Sequence, residues 1–351
     1  MKAVCVLSGR PRHPDRDVDA DRQSIGRPVG RLGLRNIQCR HKAGGVPFYL
    51  FRPGSWVGVR PGLRRPRGIP SPTGCQGRNT IGRVTAIKPD TGKGETMGDI
   101  LQLQIVDGIQ IMTINRPEAR NAIHLELAQA IAAALDALDG DPDVVLGILT
   151  GAGGNFCSGM DLKAFAQTGQ RPYVGNRGFA GLCEQPPVKP LIAAIEGYAL
   201  AGGCELALAC DLIVASREAR FGLPETKRGL VPGSGGMLRL PARIPYHVAM
   251  EAVLTGDMMD AARLHQLGLV NRLAEPGAAL DAALAMGRTI AANGPLAVQT
   301  AKRIISESRN WRPADMFDLQ RPRVAHVFAS EDAREGARAF AEKRQPVWKG
   351  K

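Results

Sequence analysis

Apolar and polar residues alternate strictly over Leu101-Gln-Leu-Gln-Ile105; Asp107-Gly108 interrupts, and Ile109-Gln-Ile-Met-Thr-Ile114 runs on. A period of two on either side of an Asp-Gly pair predicts a β-hairpin, and Asn115-Arg-Pro117 closes its second strand. From His124 to Leu138 the period changes. Leu127, Ile131, Leu135 and Leu138 recur at helical spacing in an Ala-rich run, which predicts a helix ended by Asp139-Gly-Asp-Pro142. Val144–Leu149 is a short continuous apolar run, the pattern of a buried strand.

Strand and helix signals then keep alternating. Gly151–Gly154 predicts a loop, a helix opens near Asp161, Pro190–Ile195 predicts a strand, Gly202–Ala209 a short helix and Leu212–Ala215 another strand. Gly229–Gly236 predicts a loop that opens a further helix. Beyond about Asp260 the pattern is helical, over Ala261–Leu267, Leu280–Ala292, Pro295–Ser306 and Asp332–Lys343. This order predicts an α/β fold, with a core over residues 97–285 and a helical region over 286–351.

Composition changes the picture only in the first quarter. Residues 1–96 carry 15 Arg and 4 Lys against 5 Asp and 1 Glu, which accounts for the whole formal charge of +13 of the 351-residue chain. They also hold 15 Gly and 10 Pro. Such a segment buries too little apolar surface to offset chain entropy, so it is expected to be disordered or to lie outside the native protein, with Met97 as the true start. An Arg-rich nucleic-acid arm lacks its aromatic residues and repeats here. A transit peptide is opposed by Asp15, Asp17, Asp19 and Asp21. Nucleic acid is therefore not expected as a partner, and no apolar run reaches the length of a membrane span.

The seven cysteines include no C-x-x-C pair, and Cys39 with His41 alone lacks the ligand spacing of a zinc site. Neither metal nor disulfide is expected. An odd cysteine count without a signal peptide points to reduced thiols and a cytoplasmic setting. Cys204 and Cys210 read as small core residues.

Candidate chemistry concentrates in three segments. In Gly154-Asn-Phe-Cys-Ser-Gly-Met-Asp161-Leu-Lys163, Gly159 allows close backbone approach and Met160-Asp161 falls at a helix start with free N–H groups. In Ala201-Gly-Gly-Cys-Glu205, small residues again open a helix. One N–H from each helix start can converge on a carbonyl oxygen as an oxyanion hole. The third segment, Phe221-Gly-Leu-Pro-Glu225, places a second carboxylate at a turn, 20 residues beyond Glu205. Two carboxylates aimed into one cleft can divide acid and base roles.

Together these segments resemble the signature of the enoyl-CoA hydratase/isomerase (crotonase) superfamily. The resemblance continues through Pro232-Gly-Ser-Gly-Gly, Leu254-Thr-Gly, Leu267-Gly-Leu-Val-Asn and Glu331-Asp-Ala-Arg-Glu-Gly, and covers about residues 99–350. It implies a spiral of ββα units with a C-terminal helical trimerisation region, assembled as a homotrimer or homohexamer. It further implies an acyl-CoA thioester substrate, whose oxygen sits between the N–H groups of Met160 and Gly202, with no cofactor beyond the coenzyme A of the substrate itself. Met160, Asp161, Leu162, Lys163, Gly202 and Gly203 become candidate substrate-binding residues, and Lys343 or Arg344 candidates for the CoA phosphates.

Glu205 and Glu225 match the two acid/base positions of the hydratases, while isomerases of the family typically keep only the Glu225 position. The resemblance thus implies a lyase that adds water reversibly to a 2-enoyl-CoA, as in fatty-acid β-oxidation. The alternatives are isomerisation, dehydration of another hydroxyacyl-CoA, thioester hydrolysis, or an RNA-binding protein with a degenerate crotonase body.

Overall fold

In the computed structural model, which describes residues 100–351, the Asp-Gly pair turns the chain with both residues at positive φ, 53° at Asp107 and 72° at Gly108. That mirror-image turn matches the twist of the flanking strands, β1 (Leu101–Val106) and β2 (Ile109–Ile114), which pair antiparallel from Leu101↔Ile114 to Val106↔Ile109. The expectations for residues 1–96, including Cys5, Cys39, Cys75 and His41, lie outside the described residues.

Helix α1 (Leu125–Gly140) follows, capped by His124, whose Nδ1 accepts from the Leu127 N–H at 3.2 Å. The chain continues through β3 (Leu146–Gly151) and α2 (Leu162–Thr168) to the short hairpin β4 (Tyr173–Val174) and β5 (Gly178–Phe179). Then come β6 (Leu191–Ile195), β7 (Tyr198–Leu200), α3 (Gly202–Ala209), β8 (Leu212–Ser216) and β9 (Arg220–Gly222). After a 3-10 turn over Pro224–Arg228 lie α4 (Gly236–Arg239), α5 (Tyr246–Thr255), β10 (Met259–Asp260), α6 (Ala261–Gln266) and β11 (Arg272–Ala274). Helices α7 (Ala279–Ala291), α8 (Pro295–Glu307), α9 (Met316–Phe328) and α10 (Glu331–Glu342) complete the chain.

The large sheet has the order β1-β2-β3-β6-β8-β11 and is parallel throughout except at the β1–β2 hairpin. Its central strands β3 and β6 are buried on both faces, which is why they read as unbroken apolar runs. One face is covered by α7, whose Ala283 and Met286 pack on Ile109, Ile148, Ile192 and Val214. The other face shares a core with α1 and α3. A smaller layer, β10-β9-β7, is extended by single bridges at Cys157↔Ala199 and Ile123↔Met160.

Three times in succession the chain gives a strand to the large sheet, a short extended piece to the small layer, and then a helix. The repeats are β3 with residues 157–160 and α2, β6 with β7 and α3, and β8 with β9 and α4. This is the expected spiral of ββα units, and the last three helices form the expected helical C-terminal region. Helix α7 itself runs through residue 285, so one helix joins body and tail.

Two helices exceed what the hydrophobic pattern predicts. Helix α9 contains Pro322 and buries no residue, and α5 buries only Ala249 and Ala252; neither carries the broad apolar stripe that a periodicity argument needs. Among the described residues, no helix is long and apolar enough to cross a membrane.

Candidate active site

The two glutamates meet because their segments leave adjacent strand ends. Strands β7 and β9 run parallel, with Leu200 opposite Gly222, and the Ala201 N–H donates to the Gly222 carbonyl at 2.8 Å. From β7 the chain enters α3 through Ala201, held at φ 50° and ψ −126°. A non-glycine residue in so sparse a region costs on the order of 1–3 kcal/mol, and the Glu205 N–H then closes the first helical bond to the Ala201 carbonyl at 3.1 Å. From β9 it passes Leu223 into the 3-10 turn that carries Glu225. There Gly229, in the left-handed conformation, ends the turn, and the Thr226 hydroxyl donates to the Val253 carbonyl of α5 at 2.9 Å.

The segment over residues 157–160 lies against the start of α3. The Cys157 N–H donates to the Tyr198 carbonyl at 3.0 Å, and the Leu200 N–H to the Cys157 carbonyl at 3.0 Å. On the other edge, the Ile123 N–H donates to the Gly159 carbonyl at 2.8 Å and the Asp161 N–H to the Ile123 carbonyl at 2.8 Å. The Met160 N–H between them faces away from Ile123. Gly159, at φ 100°, sits so close that a Cβ there would lie 3.0 Å from the Ala201 Cβ and 3.1 Å from the Gly202 nitrogen. A Cβ on Gly203 would stand 2.1 Å from the Cys157 carbonyl oxygen, so only glycine lets the helix start come this near. Gly202 is the first residue of α3 and its N–H has no intrahelical acceptor. Among the described residues, neither the Met160 nor the Gly202 N–H is taken up by a protein acceptor. The geometry thus brings the two predicted donors side by side.

Beside them the carboxylates differ sharply. Glu205 is 3% exposed, and its Oε1 accepts from the Ser234 N–H at 2.6 Å and the Gly236 N–H at 2.9 Å. Burial pushes its carboxyl up; the two N–H groups and the Arg239 charge offset only part of that, and it stays above the ordinary glutamate range. Glu225 has no comparable anchor, and its buried Oε2 has no hydrogen-bond partner. Burial first, and the Glu205 charge in addition, push its carboxyl up to about 7 against the pull of its own N–H and of Arg228. Two like-charged neighbours of this kind titrate as a pair. One member is fixed in place; the other can take or give a proton near neutral pH.

The remaining candidates separate. The Asp161 carboxylate serves the fold: Oδ1 caps α2 through the Lys163 and Ala164 N–H groups at 3.1 and 3.0 Å, and Oδ2 pairs with Arg116 at 3.0 Å. Burial works against its ionisation, but the Ala164 N–H and Arg116 outweigh it and leave the group below the usual carboxylate range. Leu162 and Lys163 project into solvent, beside a cleft of about 300 Å³ between the first turn of α1 and α2. Lys343 and Arg344 follow α10, and the Arg344 guanidinium is already held by Glu335 at 2.6 and 3.0 Å and by Glu342 at 2.6 Å. Cys157, Cys183, Cys204 and Cys210 are buried free thiols, and burial pushes Cys157 up to about 12 and Cys204 and Cys210 higher still. They are inert core residues.

Sequence reasoning singled out Pro232-Gly-Ser-Gly-Gly without giving it a task. Its Ser234 and Gly236 N–H groups are the anchor of Glu205. The signal was the paired glycines: a Cβ on Gly236 would sit 3.1 Å from the Glu205 Oε1.

Comparison with known proteins places the chain among its relatives. A profile described as enoyl-CoA hydratase/isomerase matches residues 104–351. An enoyl-CoA hydratase of Mycobacterium tuberculosis is 44% identical over 242 residues, 67% of this chain and 91% of that protein. A carnitinyl-CoA dehydratase of Proteus mirabilis is 41% identical over 266 residues, 73% of this chain and all of that protein. Among solved structures, an enoyl-CoA hydratase from Mycobacterium tuberculosis H37Rv shares 58% identity at a TM-score of 0.71, covering 72% of this chain and all of its own. Matched from the β-hairpin to the last helix, with the spiral of ββα units in common, the chain belongs to the enoyl-CoA hydratase/isomerase (crotonase) family.

Proposed function

We propose that the chain is an enoyl-CoA hydratase-like lyase that adds water reversibly across the double bond of a 2-enoyl-CoA. The observation that carries this reading is the unlike pair of carboxylates: Glu205 anchored by two backbone N–H groups, Glu225 with a buried Oε2 that has no hydrogen-bond partner and its carboxyl raised to about 7. The names of the relatives, hydratases and a dehydratase of acyl-CoA thioesters, support it.

The thioester oxygen accepts from the Met160 and Gly202 N–H groups, which bind the negative charge that develops there; each such donor stabilises the transition state by about 3 kcal/mol. Glu205, ionised, holds a water against C3 and takes its proton as the C3–O bond forms. Glu225, protonated, gives its proton to C2 as the enolate collapses. The two carboxyls then re-equilibrate their proton, and dehydration runs the same steps backwards. Asp161 keeps the Met160 peptide in place, and Gly203 keeps the helix start close. Leu162 and Lys163 border the thioester's CoA side. No metal or redox cofactor takes part.

The reading extends to a cytoplasmic enzyme of fatty-acid β-oxidation that assembles as a homotrimer or homohexamer through its C-terminal helices. Phe317, Phe328 and Phe340 support the last point, being 69%, 77% and 88% exposed in the single chain, where an assembly would cover them. Light scattering is expected to return a multiple of three chains, and a monomer at assay concentration contradicts the assembly.

Crotonyl-CoA and longer 2-enoyl-CoAs are expected to lose their enoyl absorbance on incubation with the protein, and inertness towards the whole panel overturns the assignment. Glu205→Gln and Glu225→Gln are each expected to lower kcat by about 10²–10⁴-fold with the fold retained by circular dichroism. Full activity in both variants removes the pair from the mechanism.

The raised Glu225 carboxyl also has a stability signature. Its folded value of about 7 lies above the ordinary 4.5 of a glutamate in the unfolded chain, so between the two the folded state holds more protons than the unfolded one and stability falls as pH rises. Glu225→Gln removes that loss. Its Tm is expected to exceed the parent's at pH 8 and to converge with it as the pH falls to about 4.5; a difference independent of pH contradicts the raised carboxyl.

A further inference from the structure

The hairpin of β4 and β5 touches both halves of the site, though neither strand carries a residue used above. Tyr173 on β4 places its hydroxyl 2.9 Å from the Ser234 Oγ. Ser234 is 6% exposed, and its N–H is the shorter of the two bonds to Glu205. Across the hairpin, Phe179 pairs with Tyr173 and meets its ring edge-on, with centroids 5.9 Å apart. The same Phe179 ring lies against the first residue of α3, where a Cβ on Gly202 would come within 2.5 Å of it.

We propose that Tyr173 is a positioning residue for Glu205, acting through the hydroxyl of Ser234. The direction of the chain of hydroxyls follows from Arg171. Its guanidinium carbon lies 4.6 Å above the Tyr173 ring and its Nη2 stands 3.2 Å from the Tyr173 oxygen. A guanidinium only donates, so the phenol oxygen accepts there, and its own O–H is best spent on the Ser234 Oγ. Ser234, held at its Oγ in this way, gives its N–H to the Glu205 Oε1 at 2.6 Å. Arg171, Tyr173 and Ser234 thus form a relay of donors that ends on the anchored glutamate. A relay of this kind sets both the place of the carboxylate and its proton affinity.

The other groups that face Glu205 are Arg239 of α4, Glu225 on its turn, Cys204 of α3 and Cys183 of the preceding loop. None of them contacts the Tyr173 hydroxyl. The Ser234 segment has little else to hold its side chain, because it precedes a helix of only four residues and follows a loop without strand or helix.

The consequences for catalysis rest on the hydratase reading; the effect on Glu205 itself does not. The test therefore uses two readouts on Tyr173→Phe, Ser234→Ala and the double variant. The first is a carbon-13 NMR titration of the glutamate carboxyls without substrate, with Glu205→Gln assigning the resonance. Loss of a donor to the ionised form raises the midpoint, by a few tenths to about one unit for one hydrogen bond. Tyr173→Phe is expected to raise the Glu205 midpoint. Ser234→Ala keeps the backbone donor and is expected to raise it at least as far. The double variant is expected to match Ser234→Ala alone, because Tyr173 has no other route to the carboxylate.

The second readout is the pH profile of kcat on a 2-enoyl-CoA. Tyr173→Phe is expected to move the limb set by Glu205 upward and to lower kcat about three- to tenfold with KM little changed. An unmoved Glu205 midpoint in both single variants, or shifts that add in the double variant, overturns the relay. A raised midpoint in a protein inert towards every enoyl-CoA leaves the relay standing and removes the hydratase reading instead. If Tyr173→Phe unfolds, Ser234→Ala alone decides, since an unchanged midpoint there removes the hydroxyl from the relay.

Discussion

The site hangs on a backbone contact closer than side chains allow. Residues 157–160 lie against the start of α3, where Gly159 meets Ala201 and Gly202, and Gly203 meets the Cys157 carbonyl. This one approach sets the Met160 and Gly202 N–H groups next to each other. It also sets the angle at which α3 leaves β7, and with it the place of Glu205 one turn later. The strained Ala201 belongs to the same constraint, for the chain must reverse sharply between the last residue of β7 and the first of α3. The surrounding hydrogen bonds, from Cys157 to Tyr198, Leu200 to Cys157 and Ala201 to Gly222, over-determine the conformation.

Upon that frame the electrostatics divide the labour. Two carboxylates removed from water would each resist ionisation, and each also makes the other harder to charge. Two backbone donors, from Ser234 and Gly236, offset part of this for Glu205, whereas Glu225 has only its own N–H. Glu225 sits on a short turn whose hydrogen bonds are spent on the turn itself and on Thr226, so its outer oxygen has no partner and its proton is held more tightly. A difference in support, rather than in chemical type, fits one glutamate for the base role and the other for the acid role of the proposed reaction. The Tyr173 hairpin adds a third layer, since it buttresses the Glu205 anchor through Ser234 and the helix start through Phe179.

Much of this was legible in the sequence. The hairpin, α1, α3 and the terminal helices follow from periodicity and turn residues, because in each the apolar pattern is dictated by burial on one side. The meeting of the Met160 and Gly202 segments was legible through their motifs, since Gly159, Gly202 and Gly203 mark where backbone must meet backbone. What stayed hidden was long-range. Nothing near Tyr173 signals that it meets Ser234, 61 residues away. Nor does Ser234 signal that its N–H serves Glu205, because backbone donors leave no mark on residue type. Asp161 read as a substrate-binding candidate, while its carboxylate is used by Arg116 and the start of α2. Arg344 read as a phosphate ligand, while Glu335 and Glu342 hold it. A charged side chain declares its chemistry in sequence, but its partner only in the fold.

The claim on which the rest depends is that Glu205 and Glu225 deliver one water across a carbon–carbon double bond. Incubating a 2-enoyl-CoA with the protein in heavy-oxygen deuterium oxide, and reading the product by mass spectrometry and NMR, tests it directly. The expected product is a 3-hydroxyacyl-CoA with heavy oxygen at C3 and one deuterium at C2. A product with deuterium but no heavy oxygen, or heavy oxygen in a released carboxylate, contradicts it.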